Sequence, residues 1–400
     1  MPDAAGAPPR LQIHDRRERA VVAAADLLLG AAAAVARPLR RRRRPETPAR
    51  ILLLRLERIG DLLMALPAIA DLRALAPEAA IDLVVGSWNR TLAEAVPAVT
   101  SVTTLDAAWL ARGDGGLGVA ALLRAARRWR GTAYDLAINF EPDLRSNLLL
   151  AASGAAWTAG YRSAGGGPLL DAAFDYDVHA HTADNARGLV AAVFGRTAPA
   201  QDQPLLTLPA AARAEAARRF AARAPLAGLH VSGGRAIKQW PPERFAEVAR
   251  RLAATGATIV LTGAPGDRPL VDAVRRTLPD ERVIDVAGAV DLLTLAAMLE
   301  RLDVLITGDT GPMHLAVAVG TPVVAVFGPS EPARYAPRGA SDRVIRVDLP
   351  CSPCNRIRLP PARCVGHTPD CLEQLSADRV FAAAMAVLQP RHPLPLAGSA

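Results

Sequence analysis

Hydrophobic and polar positions alternate in blocks from residue 50 onward. Short apolar runs rich in Val, Ile and Leu recur, and longer amphipathic stretches separate them. Such runs are typical of strands buried on both faces of a parallel sheet. They predict strands at Ile51–Leu54, Ile81–Val85, Asp135–Phe140, Ala227–Val231, Ala257–Thr262, Arg282–Val286, Asp303–Thr307 and Pro322–Phe327.

The stretches between these runs predict helices and complete a β–α alternation. They include Leu117–Arg130, Ala210–Ala224, Pro242–Ala254, Arg268–Leu278 and Leu292–Arg301. This alternation is typical of doubly wound parallel sheets, in which ligands bind beyond the carboxyl ends of the strands. We therefore predict an α/β fold and expect its chemistry in the loops that follow strands.

A proline-rich polar segment, Thr197–Pro209, separates two halves of similar β and α content. It predicts a first Rossmann-like domain over 48–205 and a second over 206–373. A helical, basic extension over 1–47 would precede them, and a C-terminal helix over 374–390 would follow. Two such domains that face each other would form a cleft, which is a common kind of ligand site.

Composition narrows the class of protein. Of the 400 residues, 51% are hydrophobic and 22% are charged, which excludes disordered, collagen-like and coiled-coil chains. The net charge of +8 comes almost entirely from arginine, because Lys238 is the one lysine among 47 basic residues. Lysine differs from arginine where a compact ammonium must approach phosphates, so the position of Lys238 in a glycine-rich loop points to function.

The four cysteines lie close together, with the spacing C-x2-C-x9-C-x6-C from Cys351 to Cys371. Four thiolates could hold Zn²⁺, with His367 as a substitute ligand, but the usual second C-x2-C pair is missing. Reduced thiols are the alternative, and we expect no metal to be required. A main body without cysteine, and an opening MPDAAGAPPR that lacks the pattern of a secretory signal, favour the cytoplasm.

The extension combines an apolar stretch with a run of positive charge. Ala20–Ala36 is too short and too rich in alanine to span a bilayer, and it leads into five consecutive arginines, Arg40–Arg44. Two interpretations remain open: an anchor whose arginines meet the inner face of the cytoplasmic membrane, or a solvated helix with a basic linker. Nucleic-acid binding is disfavoured because no aromatic residues are interleaved with the arginines.

The first candidate loop is RLERIGD, Arg55–Asp61, directly after the strand Ile51–Leu54. Gly60 would permit a tight turn, and Asp61 would open a helix that Pro67 should kink or restart. Asp61 is either a carboxylate that caps this helix or a general base aimed into the cleft. The spacing by itself favours the cap.

The second loop, HVSGGRAIKQWPPERF, contains the end of the strand Ala227–Val231. Its residues Ser232 and Gly233 would bring backbone N–H groups toward a phosphate, and Lys238 would supply charge. The loop is neither a Walker A sequence nor the dinucleotide-binding GxGxxG, and the lack of the latter disfavours an oxidoreductase. A plain turn with an exposed lysine is the alternative.

Two further loops in the second half carry matching chemistry. TGDTGPMHLA joins glycines, a threonine hydroxyl and a helix start, which together suit a diphosphate. Its candidate binding residues are Gly308, Asp309, Thr310, Gly311 and His314, the last of which could also be an ordinary helix histidine. In LTGAPGDR, Asp267 either accepts hydrogen bonds from a ribose or caps a helix. The three loops together predict nucleotide binding.

The same motifs carry a family resemblance. ILLLRLERIGDLLMALPAI, SGGRAIKQWPPERFAEVARRL and LITGDTGPMHLAVAVGTPVVAVFGPSEP resemble, in order and spacing, the ADP-heptose:lipopolysaccharide heptosyltransferases, glycosyltransferase family nine. The resemblance covers about Arg50 to Leu388. It implies GT-B architecture, in which two Rossmann-like domains face a central cleft and a last helix, from Leu375, often crosses back to the first domain.

The resemblance also implies roles for individual residues. Asp61 would be the catalytic base, Lys238 would contact the donor diphosphate, Asp267 would bond the ribose, and the backbone around Gly288–Leu292 would frame the adenine. The positions expected to contact substrate are Gly60, Ser232, Gly233, Asp267, Gly308, Asp309, Thr310, Gly311 and His314.

The implied reaction is an inverting single displacement. Asp61 would take the proton of an acceptor hydroxyl as it attacks ADP-heptose, while Lys238 and the amides after Gly308 stabilise the leaving ADP. These groups can take the place of a metal, so no cofactor is required besides the donor.

The resemblance implies two partners, ADP-heptose and a lipid-linked glycan acceptor. The arginine run Arg40–Arg44 adds the inner membrane surface as a candidate partner. On the acceptor side, Arg145 within Asn139–Asn147 could meet an acidic acceptor or be solvated. Two alternatives remain open. One is a GT-B enzyme that uses another nucleotide sugar and a different acceptor, and the other is a membrane-docked binding protein without turnover.

Overall fold

Each half of the chain forms its own parallel sheet. The structure is a computed structural model that describes residues 11–13, 15–36, 43–110, 115–200, 203–220 and 225–389. The chain divides between Leu205 and Leu206 into two compact units.

The sheet of the first unit has six strands, all parallel to their neighbours. They are β1 Arg50–Arg55, β2 Ala80–Val85, β3 Ser101–Thr104, β4 Leu136–Asn139, β5 Trp157–Tyr161 and β6 Ala172–Phe174. Their order across the sheet is β3-β2-β1-β4-β5-β6. β1 reads RILLLR and buries every residue after the first, as expected for a central strand covered on both faces.

The α-helices of the first unit are α1 Arg16–Ala36, α2 Ile59–Leu75, α3 Arg90–Glu94, α4 Val119–Ala126, α5 Leu144–Ala152 and α6 Thr182–Phe194. α2 packs against α6 and runs through Pro67 without interruption, so the predicted restart at Pro67 is wrong. Residues on both sides of the proline, from Leu62 to Leu75, are buried, and this packing outweighs the local cost of the missing N–H.

The sheet of the second unit repeats the same plan with six parallel strands. They are β7 Leu226–His230, β8 Thr258–Thr262, β9 Val283–Asp285, β10 Val304–Gly308, β11 Val323–Val326 and β12 Arg343–Ile345. Their order is β12-β11-β10-β7-β8-β9. The helices are α7 Ala210–Arg219, α8 Pro242–Ala254, α9 Arg268–Arg275, α10 Leu292–Glu300, α11 Gly311–Ala318, α12 Pro332–Tyr335, α13 Asp370–Glu373 and α14 Ala377–Leu388.

The C-terminal helix α14 packs on the second sheet. Its buried side chains, among them Val380, Ala384 and Leu388, join the core formed by α8 and the strands of this unit. The crossing of this segment to the first domain therefore stays a prediction. Among the described residues, no helix is both long and apolar enough to cross a membrane.

Each sheet has a switch point where the strand order reverses. In the first unit the chain moves from β1 outward to β3 and then returns to place β4 on the other side of β1. In the second unit β7 and β10 meet in the same way. Ligands of doubly wound sheets bind outside the carboxyl ends of the strands at such points. The prediction of doubly wound α/β domains is confirmed.

Candidate active site

Asp61 lies at the carboxyl edge of the first sheet, beside its switch point. β1 ends at Arg55 and α2 begins at Ile59, which puts Asp61 in the first turn of α2. Its Oδ2 accepts a hydrogen bond from the Arg58 N–H at 3.1 Å, while the side chain stays 30% exposed. Asp61 therefore caps the helix and also keeps a carboxylate within reach of solvent.

Gly60 takes a different place from the one predicted. It is the second residue of α2 and has helical conformation, so it forms no tight turn. The chain bends before the helix, at residues 56–58, because α2 already begins at Ile59. The tight-turn prediction for Gly60 is wrong, and its role in substrate binding stays a prediction.

The loop before α2 is held from two sides. Glu141 follows the neighbouring strand β4 and is 2% exposed. Its Oε1 accepts hydrogen bonds from the Leu56 and Glu57 N–H groups, the latter at 3.1 Å. From the other side, Trp88 Nε1 and Asn89 Nδ2 donate to the Glu57 carbonyl oxygen at 2.8 and 2.9 Å. These bonds fix the path of the chain toward Asp61.

A buried arginine supports Asp61. Arg55 is 4% exposed, and its Nε donates to the Asp61 carbonyl oxygen at 3.1 Å. Its Nη1 lies 2.8 Å from a Glu57 carboxylate oxygen and donates to the Phe140 carbonyl oxygen at 3.0 Å. Its Nη2 lies 3.7 Å from Asp61 Oδ1. The guanidinium thus binds both the main chain and the carboxylate of the candidate base.

Burial and charge shift the titration of this cluster. Burial raises the pKa of Glu141 to about 8; the Glu57 charge adds to the shift and Arg55 opposes it. Burial alone would lower the pKa of Arg55, but the carboxylates of Glu57, Asp61 and Glu141 raise it. Arg55 therefore remains a cation next to Asp61.

No role was predicted for Arg55 or Glu141 from the sequence. Arg55 ends a run of four buried apolar residues, and a charged residue in that position is rare unless it is paired. That signal could have singled out Arg55. Glu141 follows β4, which pairs with β1 only in the folded sheet. Its hydrogen bond with the Leu56 N–H could therefore not be predicted from the sequence.

The acceptor-side stretch Asn139–Asn147 is ordered by side-chain contacts. Asn139 Nδ2 donates to Ser146 Oγ and Asn147 Oδ1 in the interior. Arg145 pairs with the Asp143 carboxylate at 2.7 Å. Its guanidinium also lies 4.6 Å from the ring centre of Trp109, a cation–π distance. Arg145 is therefore held in place and still 36% exposed, which differs from a freely solvated arginine.

Lys238 and Asp309 meet at the switch point of the second sheet. Lys238 ends a short 3-10 helix that follows β7, and Asp309 comes directly after β10. Lys238 Nζ lies 3.1 Å from Asp309 Oδ2 and also donates to the Asp309 carbonyl oxygen. The two side chains are 18% and 14% exposed. The only lysine of the chain is therefore an ion-pair partner and not an exposed turn residue.

His314 joins this pair from the first turn of α11. Its Nε2 lies 3.9 Å from Asp309 Oδ1, and the side chain is 10% exposed. Burial alone would raise the pKa of Asp309, but the charges of Lys238 and His314 hold it below its ordinary value. Asp309 is thus an ionised carboxylate between two basic side chains.

The N-terminus of α11 presents main-chain amides. The helix begins at Gly311, and Thr310 is its cap residue without a side-chain cap bond. The Thr310 hydroxyl instead lies 3.1 Å from Thr307 Oγ1 and 3.4 Å from the carbonyl oxygen of Gly308. The hydroxyl expected to bind phosphate is therefore committed to the loop.

The glycine-rich loop is closed by Gln239, for which the sequence predicted no role. Gln239 Oε1 accepts the Gly233 N–H at 2.7 Å, and Gln239 Nε2 donates to the Val231 carbonyl oxygen at 2.8 Å. The Gly234 N–H donates to Ser232 Oγ at 3.2 Å. These two amides thus have partners within the loop. A Cβ at Gly233 would lie 2.6 Å from the main-chain carbonyl of Lys238, so glycine permits the close approach that positions the lysine.

Asp267 lies on the loop after β8, the neighbour of β7. Its Oδ2 accepts the Ala264 N–H at 2.8 Å and closes a 3-10 turn. Asp267 is also the residue before α9, but its side chain makes no cap bond to that helix. It also faces His230, a buried residue at the end of β7. Burial lowers the pKa of His230 to about 4, and the Asp267 charge opposes that shift. His230 is therefore neutral at physiological pH, and its ring lies 3.1 Å from Thr262 Oγ1.

The structure thus joins some of the predicted residues and leaves others apart. Lys238, Asp309 and His314 form one contact group, with Gly233 beneath the Lys238 backbone. Asp267 forms its contacts on the adjacent loop, and Asp61 belongs to the first unit with Arg55 and Glu141.

The cysteines are free thiols in the described structure. Burial raises the pKa of the Cys371 thiol to about 11. Within the described ranges, no group of three or more His, Cys, Asp or Glu side chains is placed to hold a metal ion.

Comparison with known proteins gives consistent matches. A family model described as glycosyltransferase family 9 (heptosyltransferase) matches residues 122–361. Lipooligosaccharide heptosyltransferase 2 of Haemophilus influenzae is 25% identical over 308 residues, which cover 72% of this chain and 86% of that protein.

Solved structures match over most of their length. A glycosyl transferase family 9 protein from Veillonella parvula has a TM-score of 0.73 and 26% identity, and the match covers 86% of this chain and 98% of that one. The Escherichia coli ADP-heptose LPS heptosyltransferase II has a TM-score of 0.68 and 22% identity over 86% and 99% of the two chains. These likenesses confirm the predicted fold class.

Proposed function

Because this chain belongs to glycosyltransferase family 9, the heptosyltransferases, we propose that it moves a heptose from ADP-heptose to a lipopolysaccharide-core or related glycolipid acceptor. The observation that carries the proposal is the Lys238–Asp309 pair at the switch point of the second sheet. The donor is the one named for the Escherichia coli relative, and the acceptor class is the one named for the Haemophilus influenzae relative.

Lys238 is proposed to bind the donor diphosphate. An ammonium has three N–H donors, and two of them are directed to Asp309. We assign the third to a phosphate oxygen. The first amides of α11, from Gly311 onward, would add hydrogen bonds and the positive end of a helix dipole. Together they stabilise the charge that develops on the leaving ADP.

The remaining donor contacts follow from chemistry. Asp309 would accept hydrogen bonds from the heptose hydroxyls beside the diphosphate, and His314 would donate a hydrogen bond to one of them. Asp267, one strand further along, would accept hydrogen bonds from the ribose. Ser232 and Gly233 would shape the loop that carries Lys238. The amide of Gly233 already donates to Gln239, so we assign Gly233 a structural part and not a direct phosphate bond.

Asp61 is proposed to be the general base. Its carboxylate would take the proton of the acceptor hydroxyl as that oxygen bonds to the anomeric carbon and the bond from that carbon to the ADP oxygen breaks. One proton moves to Asp61, and ADP leaves with the bonding electrons. Attack from the face opposite ADP inverts the anomeric centre. Arg55, whose Nη2 lies 3.7 Å from Asp61 Oδ1, would hold this carboxylate in place for the acceptor.

We also propose that the enzyme works in the cytoplasm at the inner face of the membrane, where a lipid-linked acceptor would be reached. Membrane contact through Arg40–Arg44 is one of the two interpretations that the sequence leaves open, and Arg40–Arg42 lie outside the described residues.

Asp61→Asn tests the base assignment. The asparagine oxygen can still accept the Arg58 N–H, so the helix cap remains while the base is lost. We expect heptose transfer, measured by mass spectrometry of the acceptor, to fall by roughly 100- to 10,000-fold while ADP-heptose affinity by calorimetry stays unchanged. Asp15→Asn is the matched control, because the Asp15 carboxylate also caps a helix, α1, by accepting the Glu18 N–H.

Two results would contradict the proposal. Turnover of Asp61→Asn near the wild-type rate would refute Asp61 as the base. A wild-type enzyme that consumes a UDP-sugar and leaves ADP-heptose untouched would refute the donor assignment.

A further inference from the structure

We propose that the solvent-facing side of α1 is a docking surface for an anionic lipid bilayer. We call this side the outer face and define it by Val21, Leu27, Leu28 and Val35. The inference deepens the proposed function, because it concerns how an enzyme with a lipid-linked acceptor is held at its substrate. The biological reason for docking rests on the proposed function. The structural observations that support docking do not depend on any transfer reaction.

The outer face exposes large apolar side chains to solvent. Val21 and Val35 are 69% and 75% exposed, and Leu27 and Leu28 are 75% and 72% exposed. From Ala20 to Val35 the sequence contains a single charged residue, Asp26. A helix that faces water normally carries polar residues on that side, and clustered exposed apolar residues mark a site of contact.

The exposed residues form a continuous stripe. Val21, Leu28 and Val35 are spaced by seven residues, which is close to two helical turns, so their side chains lie in one row. The row is about 21 Å long at 1.5 Å per residue, and Leu27 widens it near its middle. A stripe of this length can lie along the plane of a bilayer surface.

The opposite side of α1 is fixed to the first unit. Asp26 Oδ1 accepts the Gly166 N–H at 2.7 Å, and Val22 packs so closely on Gly165 that a side chain there would clash with it. Before the helix, Gln12 Nε2 donates to the Tyr176 carbonyl oxygen at 2.7 Å. Rotating α1 to bury the outer face would break these contacts, so the stripe stays directed outward.

Positive charge brackets the stripe and identifies the occupant. Arg16, Arg17 and Arg19 are exposed at the start of α1, and Arg40–Arg44 follow its end in the sequence. Apolar residues flanked by arginine suit a surface that is hydrocarbon beneath and anionic at the headgroups. A second copy of the chain would bring the same positive charges together, which disfavours self-association through this face.

The position of α1 connects docking with the acceptor side of the enzyme. α1 packs on the turn Gly167–Leu169, which follows the carboxyl end of β5. Asp61 and Arg145 follow β1 and β4 at the same edge of this sheet. A Cβ at Gly165 would meet both Val22 of α1 and Leu144, the residue before Arg145, so α1 lies close to the segment that carries Arg145. Docking through the outer face would bring this edge toward the lipid.

Vesicle sedimentation tests the proposal. The full chain is mixed with vesicles of phosphatidylcholine and phosphatidylglycerol at 3:1, or of phosphatidylcholine alone, without donor or acceptor. We expect the wild type to bind the mixed vesicles. The variant Leu27→Ser/Leu28→Ser should bind them at least about tenfold more weakly. Replacing Arg40–Arg44 by glutamine is expected to remove most of the binding at low salt.

The matched control is Leu359→Ser/Val365→Ser, because these residues are 72% and 60% exposed in the second unit. It should bind vesicles like the wild type, and thermal melting should show that each variant is folded.

Three outcomes would overturn the inference: no binding of the wild type to the mixed vesicles, equal binding of the wild type and the Leu27→Ser/Leu28→Ser variant, or a wild-type dimer by light scattering that this variant converts to a monomer with unchanged lipid binding. A chain that binds the vesicles but transfers no heptose would refute the proposed function and leave the docking inference unchanged.

Discussion

Replacing either member of the Lys238–Asp309 pair is expected to change ADP affinity in opposite directions. The paired side chains present almost no net charge to a diphosphate, because the ammonium and the carboxylate lie 3.1 Å apart. Lys238→Met leaves an uncompensated carboxylate, which repels the diphosphate. Asp309→Asn leaves an uncompensated ammonium, and its amide oxygen can still accept a hydrogen bond from Lys238. The first variant should weaken ADP binding and the second should strengthen it.

The size of the effect follows from the geometry. A phosphate oxygen in hydrogen-bond contact with Lys238 Nζ lies about 3 Å from the ammonium and therefore about 5 Å from the Asp309 carboxylate. One unit charge at about 5 Å contributes roughly 1 kcal/mol in a water-like medium and about 3 kcal/mol in a partly buried one. We therefore expect Asp309→Asn to lower the Kd for ADP by roughly 5- to 150-fold. The loss in Lys238→Met should be at least as large, because the ammonium is the nearer charge.

Calorimetric titration of ADP at two salt concentrations measures both shifts. The matched control is Arg213→Met with Glu300→Gln, an ion pair of 2.9 Å on the exposed surface of the same unit, and it should leave the Kd unchanged. Heptose transfer by Asp309→Asn should nevertheless fall, since the proposed contact with the sugar is lost. If Asp309→Asn weakens ADP binding as Lys238→Met does, the carboxylate does not act as a competing charge and the reasoning fails.

Three further changes have defined outcomes. Gly233→Ala should destabilise the protein by about 1–3 kcal/mol, because the new Cβ would meet the Lys238 carbonyl group at 2.6 Å, whereas Gly188→Ala, with open space around it, should not. Glu141→Gln keeps the oxygen that accepts the Leu56 N–H but cannot ionise. Burial raises the pKa of Glu141 from 4.5 to about 8, so the wild type should lose stability relative to this variant as pH rises across that interval. The free energies of unfolding are measured with urea at several pH values, and an equal dependence on pH in the two proteins would contradict the shift. His230→Asn tests the opposite sign: the pKa of His230 is lowered from 6.5 to about 4, so only the unfolded chain takes up a proton between these values, and the wild type should lose roughly 3 kcal/mol relative to the variant as pH falls through them.

The central strands could be predicted from the sequence because strands that are buried on both faces consist almost entirely of apolar residues. β1 and β10 are covered on both faces, so nearly every residue is apolar. β3 reads SVTT and is half exposed at the edge of its sheet, and β12 has three residues at the other sheet's edge, so neither forms an apolar run. β5 is fully buried but reads WTAGY, and its threonine and glycine conceal it. Whether a strand can be predicted therefore depends on its position in the sheet, and a local sequence pattern does not contain that position.

In the candidate site, too, some residues could be predicted from local sequence and others depend on the folded sheet. Lys238 and Asp309 could be anticipated because each lies in the loop that follows a recognisable strand, and strands on either side of a switch point bring their loops together. The bonds from Glu141 to the Leu56 and Glu57 amides join residues about 85 positions apart and depend on the pairing of β1 with β4. Gln239 was adjacent to Lys238 in the sequence, yet its role appears only when the loop folds back so that one amide group reaches both Gly233 and Val231.

The two switch points use the two kinds of basic residue for different reasons. At the first, Arg55 is buried and divides its donors among the Asp61 and Phe140 carbonyl groups and the Glu57 carboxylate. A planar guanidinium with five donors can make such a set of bonds, and an ammonium cannot make them all in that geometry. At the second, a point charge must bind a carboxylate and still offer a donor to a phosphate, which suits lysine. A chain that uses arginine at 46 of its 47 basic positions and lysine at position 238 therefore has its exception where the chemistry of an ammonium is needed.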